Sequence, residues 1–189
     1  MDKVTLYFDE LAPKWDSICE HDSKLESLLS SLDIKEGDKV LDVACGTGVI
    51  SERLYAMSKT TVDAIDVSSE MIKVAKTKDY KGVNFKVADL YTYRDSKYDV
   101  IVIFNAYPHF LDVNKFKDSL CALLNKDGRV YIIHDCDRIE LNSHHKAHAM
   151  NVSRMLDDIP TEAKMYQDKF KILEAYEKDS TIKISLILK

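Results

Sequence analysis

Apolar residues change their spacing several times along this chain, and the changes mark its elements. Leu25, Leu28, Leu29 and Leu32 recur at helical spacing behind Ser23-Lys-Leu-Glu26, which has the form of a capping box, so a helix is predicted ahead of the first strand. After a turn at Gly37-Asp38, strands are predicted at 39–43, 61–66, 83–88, 98–104 and 129–134, and helices at 48–57, 69–77 and 113–124. Such alternation points to parallel strands joined by crossover helices. In the last of these helices Val113, Phe116, Leu120, Leu123 and Leu124 form one stripe, which opens after Asp112, an N-cap candidate, and closes at Asn125-Lys-Asp-Gly128. The final runs, F-K-I-L-E-A-Y-E-K and T-I-K-I-S-L-I-L, are strand-like and separated only by Asp179-Ser180. Two residues permit a hairpin and no crossover helix. The pattern therefore predicts an α/β fold: a doubly wound, mostly parallel sheet of seven strands with an antiparallel C-terminal hairpin.

Composition narrows the picture. The length of 189 residues corresponds to one domain, 46% hydrophobic content is enough for a core, and neither a repeat nor a linker breaks the chain. The expected organisation is a single domain over 1–189, with 1–32 as a helical cap. Pro13, Pro108 and Pro160 fall at expected element boundaries. A formal charge of −5 gives no basic footprint, so nucleic acid is not an expected partner. The N-terminus lacks the basic-then-apolar order of a secretory signal, and the longest apolar run, Val100 to Phe104, is too short for a bilayer. A soluble, cytoplasmic protein is expected, with no membrane partner. Cys19, Cys45, Cys121 and Cys136 show no C-x-x-C spacing and read as reduced thiols.

The chemistry begins at Val40 to Gly48, V-L-D-V-A-C-G-T-G, where an apolar run stops at two glycines one residue apart. Without a Cβ, Gly46 and Gly48 can take turn conformations closed to other residues and bring a ligand close to the main chain. Eighteen residues beyond Gly48, T-T-V-D-A-I-D ends at Asp66, placed to accept hydrogen bonds from ribose hydroxyls. A lone G-x-G is a weak signal; the pair of signals is a stronger one.

Together with Ala88-Asp89-Leu90, Y-D-V-I-V-I-F-N and the terminal hairpin, these motifs make the chain resemble class I S-adenosylmethionine-dependent methyltransferases, which have a Rossmann-like sheet. Tyr7 to Asp16 is similar to the F-D-x-x-A-x-x-W/Y-D signature of small-molecule members related to the ubiquinone and menaquinone enzymes. A third dinucleotide-type glycine is absent, since Ser51 stands there, and S-adenosyl-L-methionine has no pyrophosphate to bind. The family often has glycine where Ala44 stands, which requires φ at Ala44 to stay in an allowed region. The resemblance implies that Asp42 and the Ala44, Cys45, Gly46 and Gly48 backbone hold the aminocarboxypropyl arm. It further gives Asp66 the ribose and Asp89 the adenine amine, with Val67, Leu90 and Asn105 as neighbours. Met71 is placed either on the adenine or in an ordinary core stripe. Tyr7, Phe8 and Trp15 either cover the cofactor as a lid, the reading the resemblance favours, or anchor the N-terminal helix.

Methyl transfer from a sulfonium is an in-line displacement, so the protein must align the acceptor and exclude water. The ends of strands four and five, Asn105 to His109 and His134 to Arg138, should face it. His109 or His134 is a candidate base because imidazole titrates near neutral pH. The stretch from His134 to His145 resembles an H-x-x-S/D-R-x-x-I/L-N-x-x-H signature of small methyltransferases, carried by His134, Asp137, Arg138, Leu141, Asn142 and His145. If 138–149 is helical, Arg138, Asn142 and His145 share a face that, with Tyr107, would bind the acceptor. His144, His145 and His148 have helical spacing but no H-E-x-x-H glutamate, so no metal is expected. The expected function is methyl transfer to a small molecule. An RNA or protein methyltransferase is the alternative, although Asn105-Ala-Tyr-Pro-His109 is unlike N-P-P-Y, and so is a non-catalytic cofactor-binding regulatory module.

Overall fold

The computed structural model describes residues 2–18 and 24–189, so Ser23 of the expected capping box and Cys19 lie outside the described residues. At the N-terminus α1 (Lys3–Leu11), a 3-10 turn (Ala12–Lys14), α2 (Trp15–Ile18) and α3 (Leu25–Ser30) precede β1 (Val40–Val43). Then come α4 (Ser51–Ser58), β2 (Val62–Asp66), α5 (Ser69–Thr77), β3 (Val83–Val87) and β4 (Tyr98–Phe104). A second 3-10 turn (Tyr107–His109) leads to α6 (Val113–Leu123), β5 (Leu124–His134), α7 (Arg138–His148), α8 (Ile159–Lys164), β6 (Phe170–Lys178) and β7 (Thr181–Leu188).

The strands form one seven-stranded sheet in the order β3-β2-β1-β4-β5-β7-β6. Only β7 runs antiparallel to its neighbours β5 and β6. Side chains of a strand alternate between faces, and here both faces are covered. Val100, Val102 and Phe104 pack with Leu25, Leu29 and Leu54 on one side. Ile101 and Ile103 pack with Phe116, Leu120 and Tyr166 on the other. Each such side chain contributes about 1.5–3 kcal/mol by leaving water. The hairpin turns at Asp179 and Ser180, whose φ values of 50° and 53° are those of a type I′ turn, the twist that two-residue hairpins favour.

Helix starts follow side-chain chemistry. Asp112 accepts from Lys115 N, Ser68 from Met71 N and Asp137 from Glu140 N, so each supplies an oxygen to an otherwise orphaned donor. Two boundaries differ from the expected ones by more than one residue. The helix expected at 48–57 begins at Ser51, because the chain is still turning through the glycine loop and Ile50 holds the cap position without a side-chain bond. The strand expected at 129–134 begins at Leu124, which pairs with Tyr98; the register then shifts, with Asp127 at φ 58°, before Arg129 pairs with Val100.

Candidate functional site

Where β1 ends, three residues within five turn left-handed: Ala44 (φ 55°), Gly46 (φ 53°) and Gly48 (φ 83°). Gly48 cannot carry a side chain, since a Cβ would lie 2.6 Å from the Phe85 ring. Ala44 does enter the left-handed region, which costs an L-residue about 1–2 kcal/mol. Backbone strain of this kind persists where the surroundings over-determine it. Here they do so through β2. Cys45 N donates to Ile65 O (3.0 Å), Gly46 N to Asp66 Oδ2 (2.8 Å) and Ser68 N to Asp66 Oδ1 (2.8 Å). Asp66 thus stitches the loop after β1 to the loop after β2.

Asp42 lies beneath this loop, fully buried, and accepts a hydrogen bond from the Ser51 hydroxyl (2.6 Å). Burial pushes its carboxyl up to about 7 against that hydrogen bond, and the Asp66 charge adds to the rise. Burial likewise lifts Asp66 to about 6, opposed by the backbone donors of Ser68 and Gly46. The Cys45 thiol is driven up by burial and by both carboxyls, which leaves it an inert packing residue.

The N-terminal segment is fastened over the loop by its two signature aspartates. Asp9 accepts from the Ser68 hydroxyl (2.6 Å) and from Glu70 N (3.3 Å) at the start of α5. Asp16 accepts from the Thr47 hydroxyl (2.6 Å) and pairs with Lys78 (2.7 Å). Trp15 consequently lies against Gly46, its Nε1 3.7 Å from where a Cβ would stand. Phe8 packs edge-on to Tyr7, Trp15 and His109, with ring centroids 5.2, 5.7 and 4.8 Å apart. Motif resemblance pointed to the aromatic residues here; the fastening role of the aspartates, with partners about sixty and thirty residues away, had no signal in the sequence beyond membership of the motif.

The histidines stand directly against Phe8, through His109. His109 and His145 rings meet at 5.1 Å, and His134 is close enough for both to depress its basicity. Both His134 nitrogens and Nδ1 of His145 are buried without a hydrogen-bond partner. Burial, first of all causes, pulls His134 to about 3 and His109 and His145 to about 4. The expectation of imidazoles titrating near neutral pH is thereby corrected: these rings are neutral at pH 7.

Several expected site residues are placed elsewhere. Tyr107 is wholly buried, donates to Glu162 Oε2 (2.9 Å) and accepts from the Tyr166 hydroxyl (2.9 Å), so it belongs to a core network and does not face the acceptor side. Both ends of the Asn142 amide bind the Leu156 backbone, at 2.9 Å each. Arg138 turns to the hairpin, its Nε 3.6 Å from Glu177. Helix α7 does form, yet of the face expected to carry three acceptor ligands only His145 joins the histidine group. His144 and His148 are exposed, and among the described residues no three His, Cys, Asp or Glu side chains are arranged to hold a metal ion. Met71 and Leu90 are buried, Val67 is half-buried and Asp89 is exposed. Asn105, at φ 53°, clamps β4 to β5 by exchanging bonds with Asp135 at 2.7 and 3.1 Å. A hollow of about 270 Å³ beside Tyr80 and another of about 320 Å³ beside Tyr98 include neither Asp66 nor a histidine.

A family model described as a methyltransferase domain matches residues 34–180. Demethylmenaquinone methyltransferase of Paenarthrobacter aurescens is 30% identical over 139 residues, covering 69% of this chain and 54% of that one. The chain spans about half the length of the curated relatives it matches. Among solved structures, the N-methyltransferase NodS of Bradyrhizobium japonicum, in complex with S-adenosyl-L-homocysteine, superposes with a TM-score of 0.70 at 15% identity, over 99% of each chain. A chain from the Haloferax volcanii complex between the Trm112 methyltransferase activator and a candidate methyltransferase gives 0.78 at 17% identity, over 96% of this chain and 97% of that one. At such identities these two likenesses concern the fold. Among the described residues no helix is long and apolar enough to cross a membrane.

Proposed function

The chain belongs to the methyltransferase-domain family, and from that premise we propose that it transfers a methyl group from S-adenosylmethionine to a small-molecule acceptor. The observation that carries the reading is the left-handed loop Ala44–Gly48, stitched to Asp66 through Gly46 N and kept free of a Cβ at Gly48 by the Phe85 ring. Those residues fit the cofactor. Asp42 and the loop backbone are assigned to its amino-acid arm, Asp66 to the ribose and the exposed Asp89 to the adenine amine. Val67, Met71, Leu90 and Asn105 surround it, and Tyr7 and Trp15 cover it. When bound, the cofactor supplies a methyl group made electrophilic by its sulfonium.

The protein's own contribution is alignment and exclusion of water. Phe8 bridges Trp15 and His109, His109 in turn meets His145, and His134 is buried beside them. Neutral imidazoles present a donor and an acceptor nitrogen each, so they orient a polar neutral group better than an ion. The formal charge of −5 weighs against a nucleic-acid acceptor.

Calorimetry with S-adenosylhomocysteine tests the cofactor assignment. Asp66→Ala is expected to lose about 1.5–3 kcal/mol, roughly ten- to hundredfold in affinity. Unchanged binding by the variant, or preferred binding of NAD, overturns it. Transfer of labelled methyl into a pool of small metabolites, set against RNA and protein pools, tests the acceptor class.

A further inference from the structure

Residues 149–158, between α7 and α8, form no helix or strand, yet they are tied down at almost every step. Arg154 N donates to Pro108 O (2.9 Å), in the turn that carries His109. Its guanidinium binds Glu162 through both oxygens, at 2.8 Å each, and lies 4.5 Å from the Tyr107 ring centroid. Glu162 is completely buried and also accepts from Asp157 N (2.8 Å) and Tyr107. A bidentate charged pair of this kind, with its remaining lone pairs satisfied, holds one geometry. What the geometry delivers lies two residues away. The carbonyl of Val152 and the hydroxyl of Ser153 both stand 3.1 Å from Nδ1 of His109.

A carbonyl oxygen only accepts, so the Val152 contact places a proton on Nδ1. In a neutral imidazole the other nitrogen then keeps its lone pair. Such second partners set which ring nitrogen is available, and hence what the histidine can bind. We propose that the Val152–Arg154 strap, anchored by Glu162, fixes His109 in the Nδ1–H tautomer, so that Nε2 receives a hydrogen bond from an O–H or N–H group of the methyl acceptor. Arg154 and Glu162 are then positioning residues, acting through His109. The site selects protic acceptors over tertiary amines and thioethers, which have no hydrogen to give.

This role rests on the methyl-transfer reading, but the tautomer does not, and the two are measured separately. Nitrogen-15 NMR of the full chain with labelled histidine, at pH 7, is expected to show His109 with a protonated Nδ1 and a lone-pair Nε2. A proton found on Nε2 overturns the proposal whatever the activity. Arg154→Lys, which cannot reproduce the bidentate pair, is expected to mix the two tautomers. It should also lower kcat for a protic acceptor roughly ten- to hundredfold, the scale of an approximately 1 Å misplacement, with S-adenosylhomocysteine affinity within about twofold of the parent. Unchanged tautomer and kcat together remove the positioning role. Ser153→Ala spares the core pair and should retain the Nδ1–H form, because the carbonyl dictates it; a switch to Nε2–H overturns the assignment. Absence of transfer to any acceptor, with the expected spectrum intact, refutes the methyl-transfer reading and with it the role assigned to the strap.

Discussion

A single methyl group tests the strain at the candidate cofactor loop. Ala44 sits at φ 55° where the family often has glycine, and its Cβ is what makes that conformation costly. Ala44→Gly removes the clash but gives the unfolded chain more freedom, an opposing term of about 0.4–1 kcal/mol. The net expectation is a gain of up to about 1 kcal/mol, read as a rise of roughly 2–4 °C in thermal midpoint. A lower midpoint would show that the strain at Ala44 is smaller than this opposing term. A β-branched residue meets a harsher version of the same clash, so Ala44→Val should lower the midpoint. Neighbouring Asp42 and Asp66 are constrained differently, by burial with few donors, and their carboxyls are the groups a cationic ligand would stabilise in charged form.

Among elements, the N-terminal helices depend most visibly on two side chains. Asp9 sits at the amino end of α5, where exposed N–H groups favour a negative charge, and Asp16 holds Thr47 in the glycine loop. Replacing both by alanine should release α1 and α2 from the sheet while leaving the core intact. Hydrogen exchange is the measurement: amides of residues 3–17 should exchange at least about tenfold faster, a loss of roughly 1.4 kcal/mol of local stability. Unchanged exchange would mean that ring packing alone holds the segment. Elements set by local signals were readable from sequence. Helix 69–77, strand 98–104 and the hairpin lie where periodicity, caps and a two-residue gap put them. The glycine loop delayed α4, because a turn and a helix start share the same small and apolar residues. The strap over His109 gave no periodic signal at all; its order comes from Arg154 and Glu162, whose pairing exists only after folding. For the same reason Tyr107, chosen by its place after the fourth strand, and Arg138 and Asn142, chosen by motif, turned toward partners that a linear sequence does not show.

The whole molecule carries two opposed sets of buried titratable groups, and its stability should record both. His109, His134 and His145 have folded-state values near 4, 3 and 4 against 6.5 for an ordinary imidazole. Over that interval the unfolded chain binds more protons, so stability rises with pH. Asp42 and Asp66, lifted to about 7 and 6 from 3.8, act the other way: the folded chain holds the protons, and stability falls as pH rises. Between about pH 4 and 6 three histidines oppose two aspartates, and the balance favours a rise. At pH 6.5 the unfolded chain's imidazoles are still half protonated and outweigh Asp42 and Asp66, and the two sets cancel only near about pH 7.5. Chemical denaturation across this range is therefore expected to give stability climbing from about pH 4.5, more gently above about 6.5, and levelling off near about 7.5. His134→Phe, close in shape and without a proton to bind, should flatten the acid limb. A profile that falls steadily from pH 4.5 upward would mean that the carboxyls dominate and the histidine group is open to water.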